Sequence, residues 1–479
     1  MLAGCAVGPD FQPPPPPAVN GYLARGGSLE SAAADKVPGQ RMVPGGNVSE
    51  RWWELFHSRH LNELMTEGIA HNADLRAAEA AVRVAQANAL AQRGALFPTI
   101  TADFNSTRQK VPTESLTSNA ANNAATYSLH TAQVTVSYVA DVFGGTRRQI
   151  ESTDALAEVQ AFQREAVYLT LTANIAAAAI QEASLRGQIA ATRRLIAIQT
   201  RLLDILRRQF DLGQIALIDV TAQETAVAQA RLLLPPLEKQ LAQQRNLLAF
   251  LTGRFPSEGL AARFEIASFR LPRKLPLSVP ADLVRQRPDI RVAESNLHSV
   301  NAQVGVAIAN RLPKITLNGN DGSTALALAK LFSPGTGFWL VAGDAAQTVF
   351  DAGTLYNRQR AAEETLNQSA AQYHTTVLTA FQNVADTLRA LQADSRAVSA
   401  AAAAEQSASR NIDLVSKQVE QGQFSLAVLI TAQQAYLQTQ LALVQTQAAR
   451  LADTVALFQA LGGGWWNRPP DAAAATALQ

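Results

Sequence analysis

The sequence predicts a mainly α-helical protein with a transmembrane β part, built from two tandem structural repeats. Three observations lead to this fold class: long proline-free segments with helical periodicity, pairs of short segments with strand-like alternation, and a duplication that places both features in each half of the chain. Apolar residues make up 47% and charged residues 17% of the 479 residues, so the chain can bury a substantial core.

The composition excludes several classes of protein. A net charge of +2 provides no basic field suited to nucleic acid. A single cysteine excludes an internal disulfide framework and a cysteine-based zinc site. The longest apolar run, at residues 166–180, is interrupted by Thr and Asn, so we expect no membrane-spanning helix. Motifs of hydrolases, metalloproteases and nucleotide-binding loops do not occur, so we expect neither an enzyme nor a cofactor.

The first residues resemble the lipobox of bacterial lipoproteins. Leu2–Cys5 reads Leu-Ala-Gly-Cys, and the extended run Pro13–Pro17 follows as a spacer. We therefore predict lipid attachment at Cys5; a stray cysteine near a loose terminus is the alternative. Ala6, rather than an aspartate, follows the cysteine and resembles lipoproteins sorted to the outer membrane. No basic and apolar signal region precedes the lipobox, so we expect a natural start upstream of Met1.

A duplication divides the chain. Asp74–Glu79 aligns with Asp289–Glu294, and Phe210–Gln214 aligns with Val419–Gln423, at a spacing of about 210 residues. Prolines break the segment between the two copies. We therefore divide the chain into a lipobox and proline-rich extension, a first repeat, a linker, a second repeat and a tail: residues 1–50, 51–254, 255–286, 287–464 and 465–479.

Each repeat contains two predicted strands. Apolar and polar residues alternate from Ile100 to Thr107 and from Thr131 to Ala140, which is the pattern of a strand with one apolar face. The second copy repeats the pattern near 315–319 and from Phe338 to Val349. The lengths match the nine to eleven residues that a tilted transmembrane strand needs. We expect a longer, Gly- and Ala-rich loop in the second pair.

Very long helices follow the strands. No proline occurs from Thr146 to Leu212, and apolar residues recur with the spacing of a coiled coil. A helix of this length would measure roughly 100 Å. The pattern continues after a turn at Gly213, where Pro235 and Pro236 indicate a kink or an end in the returning helix. The second copy has the same seam after Gly422.

The strands and helices together predict an oligomer. Four strands in one chain cannot stand in a bilayer, because open sheet edges leave backbone groups unpaired in hydrocarbon. Three chains supply twelve strands, an even number within the range of known barrels. We therefore predict a homotrimer with a 12-stranded β-barrel, four strands per chain, continued by a long α-helical coiled-coil barrel.

Six motifs carry a resemblance to a known family: Trp52–Phe56, Asn72–Leu75, Asp141–Gly145, Leu234–Glu238, Arg287–Arg291 and Phe350–Gly353. In this order they are similar to the outer-membrane efflux protein family typified by TolC and OprM, in particular its lipoprotein, NodT-like branch. The resemblance implies a trimeric exit duct in the cell outer membrane, lipid-anchored and extending into the periplasm. The linker and both termini would form an equatorial belt. The partners it implies are a periplasmic adaptor and an inner-membrane transporter of the resistance-nodulation-division type, which together export drugs and other compounds.

The resemblance also implies functional positions at the two helical turns. Adaptor docking would involve Gly213, Gln214, Gly422 and Gln423, at the closed periplasmic end. The candidate aperture residues are Leu217, Asp219, Leu426, Val428 and Thr431. Members of the family carry an aspartate in the second repeat, where this sequence has the uncharged Val428 and Thr431. For Asp219, the alternative to a pore-lining role is a charge favoured by the helix macrodipole.

Other patterns receive weaker interpretations. His57 and His60 lack a third ligand, so we predict no metal site. Asn318–Gly322 lacks the closing glutamate of a calcium loop and fits a turn after a strand better. A lipid-anchored periplasmic adaptor or coiled-coil scaffold is the alternative function, because it would also show paired long helices and a lipobox. The strand pairs in both halves argue against it.

Overall fold

The structure, a computed structural model, describes residues 6–19, 21–23, 39–110 and 126–468. Cys5, the predicted lipid attachment site, lies outside the described residues. The chain divides into two compact units. The strand unit comprises Met1–Pro14, Ala81–Gln160 and Ala293–Tyr373, and the helical unit comprises Pro15–Ala80, Ala161–Val292 and His374–Gln479.

Helices dominate the described residues and occur in the same order in both halves of the chain. They are α1 (Arg59–His71), α2 (Ala73–Arg93), α3 (Gly145–Asp211), α4 (Leu217–Leu232), α5 (Leu234–Leu251), α6 (Pro280–Gln286), α7 (Pro288–Ala309), α8 (Thr354–Glu420) and α9 (Leu426–Ala460). The long helices α3 and α8 each have 67 residues, as their lack of proline predicts. The prolines after Leu234 lie in the first turn of α5, so the predicted break in the returning helix is confirmed.

In the residues that the structure describes, six strands form two sheets: β1 (Arg41–Pro44), β2 (Thr99–Lys110), β3 (Thr126–Ala140), β4 (Lys274–Leu277), β5 (Lys314–Ala325) and β6 (Gly337–Ala346). In the helical unit, β1 and β4 form a short parallel pair. In the strand unit, the order β2-β3-β5-β6 gives an antiparallel four-stranded sheet. β2 and β6 are therefore its edges, each paired on one side only.

The register of the four-stranded sheet separates an apolar face from a polar face. Ile100 is opposite Val136, which is opposite Gly319, which is opposite Val341. Because side chains alternate along a strand, these residues share one face, which we call the apolar face. Ile100 is 70% exposed and Val341 is 76% exposed, so the described residues leave this part of the apolar face uncovered.

Hydrogen bonds between side chains cross the polar face. Ser137 Oγ donates to Asn318 Oδ1 at 2.8 Å, and Asn318 Nδ2 donates to Asp344 Oδ2 at 3.2 Å. Thr131 and Thr324 are joined through their hydroxyls at 3.1 Å. The two faces of the sheet therefore differ in polarity.

One expectation about the strands is wrong, because β6 ends at Ala346 rather than Val349. β5 extends to Ala325, so part of the Gly- and Ala-rich segment pairs with β3 and the connection to β6 is residues 326–336. The expected difference in loop length between the two strand pairs concerns residues 111–125 and lies outside the described residues. The four strands have 12, 15, 12 and 10 residues, so three exceed the predicted nine to eleven and β6 lies within that range.

The core of the helical unit lies around a cluster of buried aromatic side chains. The rings of Trp52 and Phe458 stack with centroids 5.2 Å apart, and Phe56 contacts both edge-on. Trp52, Phe56 and Phe458 are fully buried, so the motif at residues 52–56 contributes to the core of the helical unit. Across the described part of the chain, no helix has the length and apolar character needed to cross a membrane.

Candidate functional site

Two helical turns in the helical unit have the same backbone geometry. The first tip joins α3 to α4 through Gly213 (φ +71°), and the second tip joins α8 to α9 through Gly422 (φ +73°). The Gln214 amide donates to the Gln209 carbonyl at 2.8 Å, and the Gln423 amide donates to the Gln418 carbonyl at 2.8 Å. These bonds close a Schellman motif, which requires a left-handed residue that glycine adopts without a steric penalty.

Apolar packing joins the two hairpins just behind their tips. One cluster contains Leu203, Leu206, Val220 and Val227, and a second contains Val415, Leu429 and Ala432. Leu202 and Leu426 pack against both clusters. Leu426 is therefore half-buried between the hairpins. Asp219 is half-buried as well, whereas Leu217, Val428 and Thr431 are exposed.

The two tips place different side chains at equivalent positions. Asp219 is the third residue of α4, and its amide donates to the Ala216 carbonyl at 3.1 Å. Val428 is the third residue of α9, and its amide donates to the Ser425 carbonyl at 3.1 Å. Val428 therefore replaces a carboxylate by an apolar group at the same place in the turn.

The remaining aperture candidates are exposed. Leu217 has 57% of its surface exposed and Val428 has 40%. The exposed Thr431 donates its hydroxyl to the Ala427 carbonyl at 2.9 Å. The first turn of α9 contains no acidic residue, whereas that of α4 contains Asp219. The roles of these residues at an aperture, and of the tip residues in docking, stay predictions.

Sequence reasoning missed a charged cluster on the stem of the first hairpin. Glu182 of α3 is fully buried and contacts Arg186 at 2.7 Å and Arg245 of α5 at 3.0 Å. Arg245 also donates to the carbonyls of Leu260 and Ala262. The spacing of Glu182 and Arg186 could have indicated one ion pair, but no local pattern indicates that α5 supplies the second arginine.

A second missed cluster lies on the stem of the second hairpin. Asp394 of α8 hydrogen-bonds Asp453 of α9, and burial together with this bond raises the pKa of Asp394 to about 7. The buried Arg450 lies near the pair and donates to Gln40 Oε1 at 3.1 Å. Asp394 therefore keeps its proton up to near neutral pH, beside the Asp453 side chain.

The segment that follows the lipobox is seated on the strand unit. Arg148 of α3 donates to the Val7 carbonyl at 3.1 Å and contacts Asp10 at 2.7 Å. Asn301 donates to the Pro9 carbonyl at 2.9 Å, and Phe11 stacks on His298 with centroids 4.3 Å apart. A proline-rich segment has no periodicity, so the sequence did not predict this attachment.

The structure also describes the weaker candidates from the sequence, which are His57, His60 and Asn318–Gly322. His60 Nδ1 lies 3.4 Å from Glu63 Oε2, and His57 ends the short helix Trp52–Phe56 in a left-handed conformation. Within the described ranges, no three His, Cys, Asp or Glu residues are grouped to hold a metal ion. Asn318–Gly322 lies within β5 rather than in a turn, so that interpretation is wrong.

Two long helical hairpins and an open four-stranded sheet with an exposed apolar face define the class of an outer-membrane channel subunit. The sequence profile of the family described as outer membrane efflux protein matches residues 64–254 and 279–463. The chain belongs to this family. The predicted family and the predicted function, an outer-membrane efflux channel, are confirmed.

Individual relatives and solved structures agree with this assignment. The chain is 28% identical to the probable efflux pump outer membrane protein TtgC of Pseudomonas putida, over 98% of this chain and 94% of that protein. It is 30% identical to the pyoverdine export outer membrane protein OpmQ of Pseudomonas aeruginosa, over 87% of each chain. The structure matches the Campylobacter jejuni CmeC outer membrane channel with a TM-score of 0.88 at 19% identity, over 99% and 98% of the two chains. This last likeness confirms the channel fold.

Proposed function

We propose that three copies of this chain close one 12-stranded β-barrel in the outer membrane and serve as the exit duct of a tripartite efflux pump. The observation that carries the proposal is the four-stranded sheet, with its edges at β2 and β6 and its exposed apolar face. Unpaired edges in hydrocarbon are too costly to persist, so β2 of one copy pairs with β6 of the next.

The height of the apolar face fits a bilayer. Along β3 the face runs from Ala140 to Ala132, which is roughly 27 Å along the strand and about 20 Å along the membrane normal at a tilt near 40°. Outer-membrane barrels carry an apolar band about 25 Å tall. The polar face, with Ser137, Asn318 and Asp344, then lines the water-filled interior.

The helices continue the duct in the periplasm. In this proposal residues 51–254 and 287–464 are structural repeats, and residues 255–286 belong to an equatorial belt with the terminal segments 1–50 and 465–479. Support comes from the family profile, which matches two segments of similar length, and from the shared order of elements in both halves. A helical coiled-coil barrel of three chains would place both tips of each chain at the periplasmic end.

The partners follow from this placement. A periplasmic adaptor docks at the tips, around Gly213, Gln214, Gly422 and Gln423, and an inner-membrane transporter of the resistance-nodulation-division type supplies substrate and energy. Relatives are named for efflux of toluene and antibiotics and for export of pyoverdine, so we propose small organic compounds as the cargo. The duct itself performs no bond chemistry and needs no cofactor.

The closed aperture is formed at the same end. Leu217 and Val428 supply an apolar constriction, Asp219 supplies a ring of three carboxylates, and Thr431 lies one turn further along α9. Leu426 supports the constriction by packing between the hairpins. Closure in this chain therefore depends more on apolar contact than on charge.

A lipid on Cys5 adds a second attachment to the outer membrane. The support is the seating of residues 6–11 on the strand unit, where Val7 donates its amide to the Phe143 carbonyl at 3.0 Å, next to the end of β3. Cys5 precedes this segment in the sequence, so an attached acyl chain would begin near the end of the sheet at which β3 terminates.

One experiment tests the duct and the anchor together. The gene, with a signal region restored, is expressed beside a Cys5→Ala variant; the envelope is fractionated and the mass measured in mild detergent. We expect an outer-membrane trimer of three 51.1-kDa chains for both proteins, with lipid on the wild type only. A monomer, or a protein found outside the outer membrane, would contradict the shared barrel. An unlipidated wild-type trimer would contradict only the anchor.

A further inference from the structure

Basic residues lie at one end of the apolar face. β2 continues past Phe104 to Arg108 and Lys110, which alternate onto the same face as Ile100. The assignment of faces is supported by Ser106, whose hydroxyl lies 2.8 Å from Nδ1 of its cross-strand partner His130. This end, where β2 and β5 terminate, is called the distal end of the sheet.

The loop between β5 and β6 folds back onto the same face at the distal end. Ser323 shares the apolar face with Ala132, and its hydroxyl donates to the Leu331 carbonyl. Thr336 Oγ1 donates to the same carbonyl at 2.9 Å, and Leu331 is buried. The loop is therefore pinned in place, and it presents Lys330 between two exposed apolar side chains.

Those apolar side chains are Leu328, which is 58% exposed, and Phe332, which is 80% exposed. Exposing this much apolar surface to water is unfavourable, and hydrogen bonds hold the loop in place. The loop lies at the level where the apolar face ends, so its exposed side chains extend that face. Their surroundings are then the same hydrocarbon that covers Phe104.

The charge at the distal end has one sign among the residues described. Arg108, Lys110 and Lys330 are basic, and beyond Phe104 no acidic residue occurs in the described parts of the four strands or in residues 326–336. The acidic residue of this face, Asp321, lies lower, opposite Val134. Arg108 stands roughly 14 Å along the strand beyond Phe104, or about 10 Å along the membrane normal at a tilt near 40°. In the proposed barrel this distance takes its charge out of the hydrocarbon and into the headgroup region.

We propose that Arg108, Lys110 and Lys330 bind the phosphate groups of an anionic outer-leaflet glycolipid, whose acyl chains pack against Phe104, Leu328 and Phe332. The site rests on the proposed barrel, because only a sheet standing in the membrane brings the apolar face to lipid. Apolar side chains beside the cations favour a lipid over a free phosphate ion, which would gain nothing from them.

The test is binding of diphosphorylated lipid A to the detergent-purified trimer, counted by native mass spectrometry. The combined variant Arg108→Gln, Lys110→Gln and Lys330→Gln should bind about a hundredfold more weakly, since each basic residue near a membrane surface contributes about fivefold. Lys314→Gln removes one charge at the opposite end of β5 and should change binding by less than about twofold. Phe332→Ser should weaken phosphorylated and dephosphorylated lipid A alike.

The outcomes separate the site from the barrel. Equal binding of lipid A by the triple variant and the wild type would overturn the proposal, and so would displacement of lipid A by inorganic phosphate. A wild-type protein that runs as a monomer would instead contradict the shared barrel. A stable trimer that loses lipid only in the triple variant supports the site.

Discussion

The two helical tips share one backbone geometry but carry different side chains. Both turn through a glycine at nearly the same φ, +71° at Gly213 and +73° at Gly422, and both close with the same pair of hydrogen bonds. Asp219 then occupies the third position of α4, where α9 has Val428. The same turn therefore accepts either a carboxylate or an apolar side chain at the third position of the following helix.

The stems behind the tips differ in how they compensate buried charge. In the first hairpin, Glu182 is neutralised by Arg186 and Arg245. In the second, burial and the neighbouring Asp453 raise the pKa of Asp394 to about 7, beside Arg450. The first stem is thus held by ion pairs, while the second responds to pH. Four predictions, ordered by the expected change in folding free energy, test the differences between the two stems and between the two tips.

The largest effect is expected from Arg245→Met in the first stem. The substitution leaves the buried Glu182 with one arginine and removes the donor from two carbonyls, so it should cost about 3 kcal/mol. Urea unfolding followed by helical circular dichroism measures the change.

The matched control for that prediction is Arg193→Met. Arg193 contacts Glu238 at 2.7 Å, but the two side chains are 62% and 44% exposed. An exposed pair contributes little, so the control should cost less than about 0.5 kcal/mol. Equal losses in the two variants would show that the buried pair does not hold the first stem.

The second stem should lose stability as the pH rises. Because the pKa of Asp394 is raised to about 7 in the folded chain, the stabilisation is complete below the unfolded value near 4 and is lost as the pH passes through 7. Asp394→Asn should flatten this dependence, a difference on the order of 1 kcal/mol after solvent screening. Thermal unfolding of wild type and variant at pH 5 and pH 8 measures it.

Asp386→Asn on the same helix is the control for the pH experiment. Asp386 is exposed and accepts a hydrogen bond from Gln382 of the same helix at 3.4 Å. Its replacement should leave the slope of stability against pH unchanged. If it flattens the slope as much as Asp394→Asn does, the raised pKa of Asp394 is not the source of the pH dependence.

The glycines of the tips should respond alike. Gly213→Ala and Gly422→Ala each place a side chain at positive φ with no neighbouring atom within 4 Å, so each should cost about 1 kcal/mol through backbone strain alone. Hydrogen exchange in the last turns of α3 and α8 measures the loss. Gly94→Ala, also in open space but without positive φ, should cost nothing, and unequal losses at the tips would break the comparison.

The sequence predicted the elements that depend on local chemistry. The long helix expected from Thr146 to Leu212 is observed at Gly145–Asp211, and the turns fall at the expected glycines, because proline and glycine act on the backbone directly. The distal half of β5 was not predicted, since Gly319 and Gly322 remove the alternation that reveals a strand. There the pairing partner β3 decides the structure.

The sequence did not predict contacts between distant segments. Glu182 and Arg245 lie on different helices, as do Asp394 and Asp453, and only the packing of those helices decides which faces meet. The resemblance to a family identified the tips and the candidate aperture. It could not show that Leu426 packs between the hairpins while Val428 is exposed.

The smallest change in folding free energy is expected from exchanging the side chains of the two tips. Asp219→Asn removes a carboxylate from the positive end of α4 and should cost about 0.5 kcal/mol, while Val428→Asp should gain a similar amount in α9. If these positions also line the trimer's aperture, Asp219→Asn lowers the cation preference of the reconstituted channel and Val428→Asp raises it. Ile218→Asp is the control, because consecutive helical residues point about 100° apart. Ile218→Asp should therefore change ion selectivity less than Val428→Asp does. Unchanged selectivity in Asp219→Asn would assign Asp219 to the macrodipole alone, and closure would then depend on the apolar side chains.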